Sequence, residues 1–583
     1  MYYRLRMLIV LFSFSFLFSE DIVLPTHEIY FSGQKHIDED DLQEAVGVDT
    51  KSFYEFWKED TPRINDKLLP ILQPSLKSFY DSEGFYDANF AIRETNTTVF
   101  VNISENKPVK IIDISINSDY DISPFITFHA DDIFKAKIFI TIKAAIIQQL
   151  LKEGYCSYNF DPKAYVDLDN HTVRVEYTLQ KGEICQFGKL TINGLETIDE
   201  EIVKSRLRAT EGKDFSTSRI NETMINLYSL DAFDSVLIDV DKKFYNVVPV
   251  DITVKEISKP YYVEAGVGYD TYVGARVQGE VIKKNFFGNA QSIRLKAAWS
   301  QREQLLVLSY FKPVFFTVLD HAIDLDVKTG YSNLEFEGFR EEKGFAQGYL
   351  THEYRKLKLR AGLAFENITI SALESDIELQ QAVNEGIFNL FYPYLDVIYD
   401  ARDDKLNPKY GYYLSAYTEY GLSYDEESSP YLKTLLEGRI IHTFSKLTLA
   451  AVGKAGVVDD SSTNGLPESK FFFGGGFFSN RAYGFRELGV ILSSTQDSIY
   501  GASTMANFSL EANYPIWNEI YGAVFTDNTM LTEESYDFSG DIISSAGVGV
   551  RYMTPVGPFK LDVGFNVNDP AQYAIQFQVG QSF

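Results

Sequence analysis

From about residue 258 to the C-terminus, apolar and polar residues alternate with a period of two, and no helical pattern interrupts them. Tyr261, Val263, Ala265, Val267 and Tyr269 alternate with Tyr262, Glu264, Gly266, Gly268 and Asp270. Ile293, Leu295, Ala297 and Trp299 alternate with Ser292, Arg294, Lys296 and Ala298. At the end, Tyr573, Ile575, Phe577 and Val579 face one way, and Gln576, Gln578 and Gly580 the other. A strand reads like this when one face meets apolar surroundings and the other polar ones. A soluble β-sandwich alternates too, but so long an unbroken run fits a membrane barrel, apolar outside and polar in its lumen. At about 20 residues per strand and connection, residues 258–583 predict a 16-stranded antiparallel transmembrane β-barrel. Beyond the first 20 residues there is no uncharged apolar run of about 18 residues, so a helical span is not expected.

Composition agrees. The chain is 15% aromatic, with 38 Tyr and 45 Phe, too aromatic for disorder. A net charge of −28 argues against nucleic-acid binding, which needs basic surfaces, and reads as solvated loops. Residues 1–19 read as a signal peptide, with Arg4 and Arg6 ahead of an apolar stretch from Met7 to Phe18. No Cys follows that stretch, so a lipid anchor is not expected. The two cysteines, Cys156 and Cys185, are too few for a zinc cluster or a disulfide scaffold.

Before the barrel the chain repeats. Ile29-Tyr30-Phe31-Ser32-Gly33 followed by Ile37-Asp38 matches Leu190-Thr191-Ile192-Asn193-Gly194 followed by Ile198-Asp199. Each reads as a strand, a glycine turn and a capped helix start. Glu83-Gly84-Phe85 recurs as Glu153-Gly154-Tyr155, each closing a helical pattern, with a weaker copy at Leu230 to Asp234. Two further strands end each unit. The unit is therefore β-α-α-β-β, an α+β fold, occurring at 24–107, 108–183 and 184–257; the middle copy lacks the glycine turn. Folding about the polar turn at Asp167 to His171 brings Cys156 and Cys185 near each other. They form either a disulfide or two small buried side chains.

Four barrel segments add motifs: Asn285 to Gln291, Asp400 to Gly411, Phe473 to Phe485, and Pro555 to Asp562. Each alone is compatible with ordinary turn chemistry. In this order, after three repeats, they resemble the BamA/TamA outer-membrane assembly superfamily, and the repeats resemble its POTRA domains. Three such domains look most like the TamA branch. The resemblance implies a loop folded into the lumen, here Gly475, Gly476, Ser479, Arg481, Tyr483, Gly484 and Phe485. The family places Gly after the Arg, whereas this chain has Ala482 and reaches its Gly-aromatic pair at Gly484-Phe485, so a different tip backbone is expected. Glu511 and Asp527 match the acidic partners of that Arg, with Asp562 a weaker candidate. A guanidinium in a narrow lumen needs carboxylates, and its planar fork can bind two. Phe583 resembles the C-terminal assembly signal of such barrels.

The resemblance implies assembly of outer-membrane proteins without bond chemistry. The seam, Val263, Ala265, Gly266 and Val267 against Phe577, Gln578 and Gly580, would open sideways and accept a client strand by β-augmentation. Implied partners are unfolded, autotransporter-like outer-membrane clients, a TamB-like inner-membrane-anchored protein and outer-membrane lipid. The implied location is the outer membrane, with the repeats in the periplasm. No cofactor, metal or nucleic acid is expected. The competing reading is a two-partner-type secretion pore for one dedicated substrate. A surface enzyme is disfavoured: there is no Gly-x-Ser-x-Gly or His-Glu-x-x-His, and the seven histidines are scattered.

Overall fold

The computed structural model describes residues 25–48, 61–240, 246–270, 274–319, 321–336, 339–373, 384–422, 430–460, 465–493, 496–554 and 557–579. The signal-peptide segment, Pro555, Val556, Gly580 and Phe583 lie outside them. The chain divides into two compact units, with the division running through the third repeat.

The first repeat runs β1 (Thr26–Ser32), α1 (Glu39–Ala45), β2 (Arg63–Asn65), α2 (Leu69–Ser82), β3 (Asn89–Glu94) and β4 (Thr98–Ser104). Its sheet has the order β2-β1-β4-β3, with β1 parallel to β4. Leu72, Leu76 and Tyr80, four residues apart, put one stripe of α2 into the core against Val99, Val101 and Ile103. The second repeat runs β5 (Lys110–Ser118), α3 (Ala136–Glu153), β6 (Asn159–Asp167) and β7 (Thr172–Gln180), ordered β5-β7-β6. Ile142, Ile146 and Leu150 are its buried helical stripe. The third runs β8 (Gln186–Asn193), α4 (Glu200–Ser205), α5 (Thr217–Tyr228), β9 (Phe233–Val240) and β10 (Val247–Glu256), ordered β8-β10-β9.

Two sequence expectations need correction. The middle repeat does not have two α-helices: a single 3-10 turn, Ser123–Phe125, stands where the first helix was expected. This is the copy without the glycine turn that leads into the first helix of the other two. Nor do Asp38 and Asp199 cap their helices with their side chains. The carboxylate of Asp199 instead accepts Asn289 Nδ2 at 2.8 Å.

The glycine turns have a steric cause. Gly33 and Gly194 take φ of +92° and +89°, and a Cβ there would lie 2.2 Å from Ile103 O and 1.9 Å from Val254 O. Only glycine lets the chain leave the first strand across its neighbour. In the first and third repeats a carboxylate then holds the following loop. Glu105 accepts the amides of Lys35 and His36, and Glu256 those of Glu196, Thr197 and Ile198. The middle repeat reverses the device: Asp119, just past its first strand, accepts the amide of Lys181.

The second unit contains the barrel. Its strands are β11 (Tyr261–Asp270), β12 (Gly274–Lys283), β13 (Ser292–Ser300), β14 (Glu303–Val318), β15 (His321–Glu335), β16 (Phe339–Tyr354), β17 (Leu357–Ala372) and β18 (Gly386–Asp400). They continue as β19 (Tyr410–Gly421), β20 (Tyr431–Phe444) and β21 (Leu447–Asp460). After a long loop holding the short hairpin β22 (Val490–Ser493) and β23 (Gln496–Tyr500) come β24 (Thr504–Trp517), β25 (Ile520–Thr532), β26 (Ile542–Tyr552), β27 (Phe559–Asn566) and β28 (Tyr573–Val579). Apart from β22 and β23, these form one antiparallel 16-stranded sheet in chain order.

Its polarity is inside-out. Val263, Val267, Leu295, Trp299, Ile575 and Phe577 are exposed, while Glu341, Glu419, Glu511, Asp527, Arg551, Lys560 and Asp562 are buried. A soluble sandwich buries the first set, so this pattern decides for a barrel with an apolar outer face. No helix among the described residues is long and apolar enough to cross a membrane; the strands cross it.

Candidate functional site: the lumen loop and its anchors

The loop between β21 and β24 enters the lumen and places Arg481, nearly fully buried, against the inward faces of three strands, β24, β25 and β27. Arg481 Nε and Nη2 donate to the two oxygens of Asp527 on β25, each at 2.9 Å, and its own amide donates to Asp527 at 3.0 Å. Nη1 donates to Glu511 on β24 at 2.5 Å and to Asp562 on β27 at 3.1 Å. Its guanidinium also lies 3.4 Å from the centroid of the Phe525 ring. This bidentate, stacked geometry is one that Lys could not supply.

Two basic residues that sequence reasoning missed complete the network. Arg551 on β26 donates to Glu511 at 3.1 Å and contacts Asp562 closely. Lys560, its cross-strand neighbour on β27, is buried with its Nζ 4.4 Å from the Phe477 centroid. Three cations and three carboxylates therefore share one buried site, which is how a protein accommodates charge away from bulk solvent. The signal was present in strand parity: each of these strand residues has the inward parity of its strand. Opposing Arg551 and Lys560 require acids nearby.

Beyond Arg481 the loop continues to the last strand. Ala482 takes no left-handed backbone, so the family glycine is not needed for φ at this position. What permits the approach is Gly564 on β27, where a Cβ would lie 2.5 Å from Arg481 C and O and 2.8 Å from Ala482 N. Tyr483 accepts Asn566 Nδ2 on its hydroxyl at 2.6 Å and Gln576 Nε2 of β28 on its carbonyl at 2.8 Å. Ser479 O accepts Asn507 Nδ2 at 3.0 Å. Gly475 and Gly476 take left-handed φ of +93° and +83°, turning the loop back so that Gly476 N meets Tyr483 O at 3.0 Å. Gly484 N donates to Glu487, and the Phe485 ring is half exposed.

The seam residues sit at the two ends of the sheet. Val263, Ala265, Gly266 and Val267 lie on β11, paired to β12 only, and Phe577 and Gln578 on β28, paired to β27 only, among the described residues. The structure joins Cys156 and Cys185 in a disulfide, with Cα atoms 5.9 Å apart. At the other rim, the Asn285 to Gln291 turn grips the third repeat. Asn285 Nδ2 donates to Thr197 Oγ1 and Asn289 Oδ1 accepts from Asp199 N, both at 2.7 Å. Arg206 clasps Asp324 of β15 at 2.8 and 2.7 Å.

This barrel, with its loop pinned by an arginine, matches a known domain: residues 285–583 match the Omp85 superfamily domain. The chain belongs to the Omp85 superfamily. Outer membrane protein assembly factor BamA of Nitratidesulfovibrio vulgaris is 20% identical over 584 residues, covering 95% of this chain and 73% of that protein. BamA of Neisseria meningitidis is 20% identical over 603 residues, covering 90% and 74%. The crystal structure of Haemophilus ducreyi BamA lacking POTRA domains 1–3 shares the fold, with a TM-score of 0.54 at 18% identity over 81% of this chain and 99% of that one. This Omp85 member is thus an outer-membrane barrel of the BamA/TamA type, with its N-terminal POTRA repeats in the periplasm.

Proposed function

We propose that this Omp85 member assembles outer-membrane proteins by opening the seam between β11 and β28. The observation that carries this reading is the ladder itself. It runs through 16 strands from β11 to β28, with no hydrogen-bonded pairing between those two among the described residues. An unpaired strand edge in lipid is costly, so an edge that closes weakly can exchange its partner for a client strand at little net cost. Client pairing is then β-augmentation, with the backbone supplying affinity irrespective of client sequence. The loop around Arg481 reaches β28 through Gln576 and so braces one side of the seam. No bond is made or broken, and no residue acts as a catalyst.

The curated relatives are named assembly factors, which supports this function. Within it, we propose a TamA-like role with a TamB-like inner-membrane-anchored partner and autotransporter-like clients, from the resemblance of its repeats and barrel motifs to that branch. Depletion tests the function: the outer-membrane proteome should lose many barrel proteins together. Loss of one secreted substrate alone would favour the dedicated secretion pore.

A further inference from the structure

Arg481 holds only one end of the lumen loop. Eleven residues earlier, Lys470 is also buried, and it faces a different part of the wall. Its Nζ pairs with Glu366 of β17 at 2.9 Å and with Glu419 of β19 at 3.1 Å. The ammonium lies 4.1 Å from the centroid of Tyr392 on β18 and 5.8 Å from that of Tyr431 on β20. Tyr431 donates to Glu419 at 2.9 Å, Tyr417 also donates to Glu419, and Tyr392 donates to Glu366 at 2.9 Å. The Lys470 carbonyl accepts Lys433 Nζ of β20 at 2.7 Å. Four consecutive strands thus converge on one loop residue. Two carboxylates and two aromatic faces around a single ammonium form a complete cation site, and removing its occupant leaves both acids exposed to each other.

We infer that Lys470 is a positioning residue, the fixed end of a strut that sets the seam. One end is clamped to β17–β20. The other reaches β24, β25 and β27 through Arg481 and β28 through Tyr483 and Gln576. A segment held at both ends transmits the position of the rear wall to the seam strand. With the Lys470 end released, Arg481 remains bound to its acids but β28 is no longer held at a fixed distance from β17–β20. This inference rests on the proposed seam mechanism for its functional meaning, but its geometry can be tested separately.

The test uses the full chain lacking Cys156 and Cys185, with spin labels at positions 263 and 577 on the exposed outer faces of β11 and β28. The seam distance is measured in Lys470→Met, in Lys470→Arg, and in Lys470→Met combined with Glu366→Gln and Glu419→Gln, which leaves no unpaired buried carboxylate. Client assembly is followed in parallel. In barrels that keep heat-modifiable migration, Lys470→Met and the triple variant should raise the long-distance population about fivefold or more. Lys470→Arg should restore the wild-type distribution. Glu341→Gln, a buried wall acid whose ion partner is Lys343, should leave it unchanged. An unchanged seam in folded Lys470→Met barrels would overturn the inference. A changed seam with normal client assembly would sustain the strut and overturn the seam mechanism instead.

Discussion

Gly564 offers a sharp perturbation of the lumen site because its substitution touches no charge. In Gly564→Ala the new methyl would lie 2.5 Å from two backbone atoms of Arg481 and 2.8 Å from the amide of Ala482. Backbone cannot swing away as a side-chain end can, so the loop tip must retreat by about 1 Å to reach ordinary contact. Overpacking of this kind costs roughly 1–3 kcal/mol. That corresponds to a change of about 5- to 150-fold in the ratio of docked to released loop. The assay is tryptic cleavage after Arg481 and Arg486 in folded barrels, since cleavage of a transiently opened segment follows the open population. Gly564→Ala should be cut faster by that factor. Gly344→Ala, with nothing within 4 Å of the added Cβ, should be cut at the wild-type rate. Equal rates in both variants would refute close backbone approach as the reason for Gly564.

Other outcomes follow from the same contacts. Arg551→Met leaves Glu511 and Asp562 buried with a partner removed, and should destabilise the barrel by about 3–5 kcal/mol, read as a lower heat-modification temperature. Burial alone would raise the Glu105 carboxyl. The hydrogen bonds from His36 and from the amides of Lys35 and His36 outweigh it and hold the carboxyl below its usual range. A depressed folded value contributes stability above the unfolded value, about 4.3, and loses it as pH falls through the folded value. The thermal unfolding temperature of the repeats should therefore drop as pH falls from the unfolded value through the lower folded one, and drop less in Glu105→Gln. Glu256 is depressed in the same way: burial opposes, and the Thr197 hydroxyl and three amides prevail. Reduction of the Cys156–Cys185 disulfide, which spans a sequence separation of 29, should cost about 3–4 kcal/mol in urea unfolding of the repeats.

The barrel was legible because lipid imposes one rule on every strand, and alternation around Val263 or Ile575 follows it. The strand Tyr261–Asp270 read from the sequence coincides with β11. Arg481 was legible through the resemblance of its glycine-aromatic loop to the lumen loop of the family. Its basic neighbours were not. On an inward face, Arg551 and Lys560 look like any wetted lumen residue until the register sets them opposite each other. Lys470 was hidden for a different reason: its partners Glu366 and Glu419 lie on strands distant in sequence, and only the path of the loop joins them. In the repeats, the glycine turns were visible, but the carboxylates of Glu105 and Glu256 that hold them come some 60 residues or more later. The middle repeat misled only in its first helix, which was carried over from the sister copies, whereas the helix ending at Glu153 was read from its own residues and is α3.

The most direct measurement concerns the seam. One Cys is placed at Gly266 and one at Gln578, in a chain lacking Cys156 and Cys185, and outer-membrane protein assembly is compared with the pair oxidised and reduced. The account predicts that oxidation locks β11 to β28 and stops assembly of many clients, and that reductant restores it. Normal assembly through a locked barrel, or an effect confined to one secreted substrate, would contradict it.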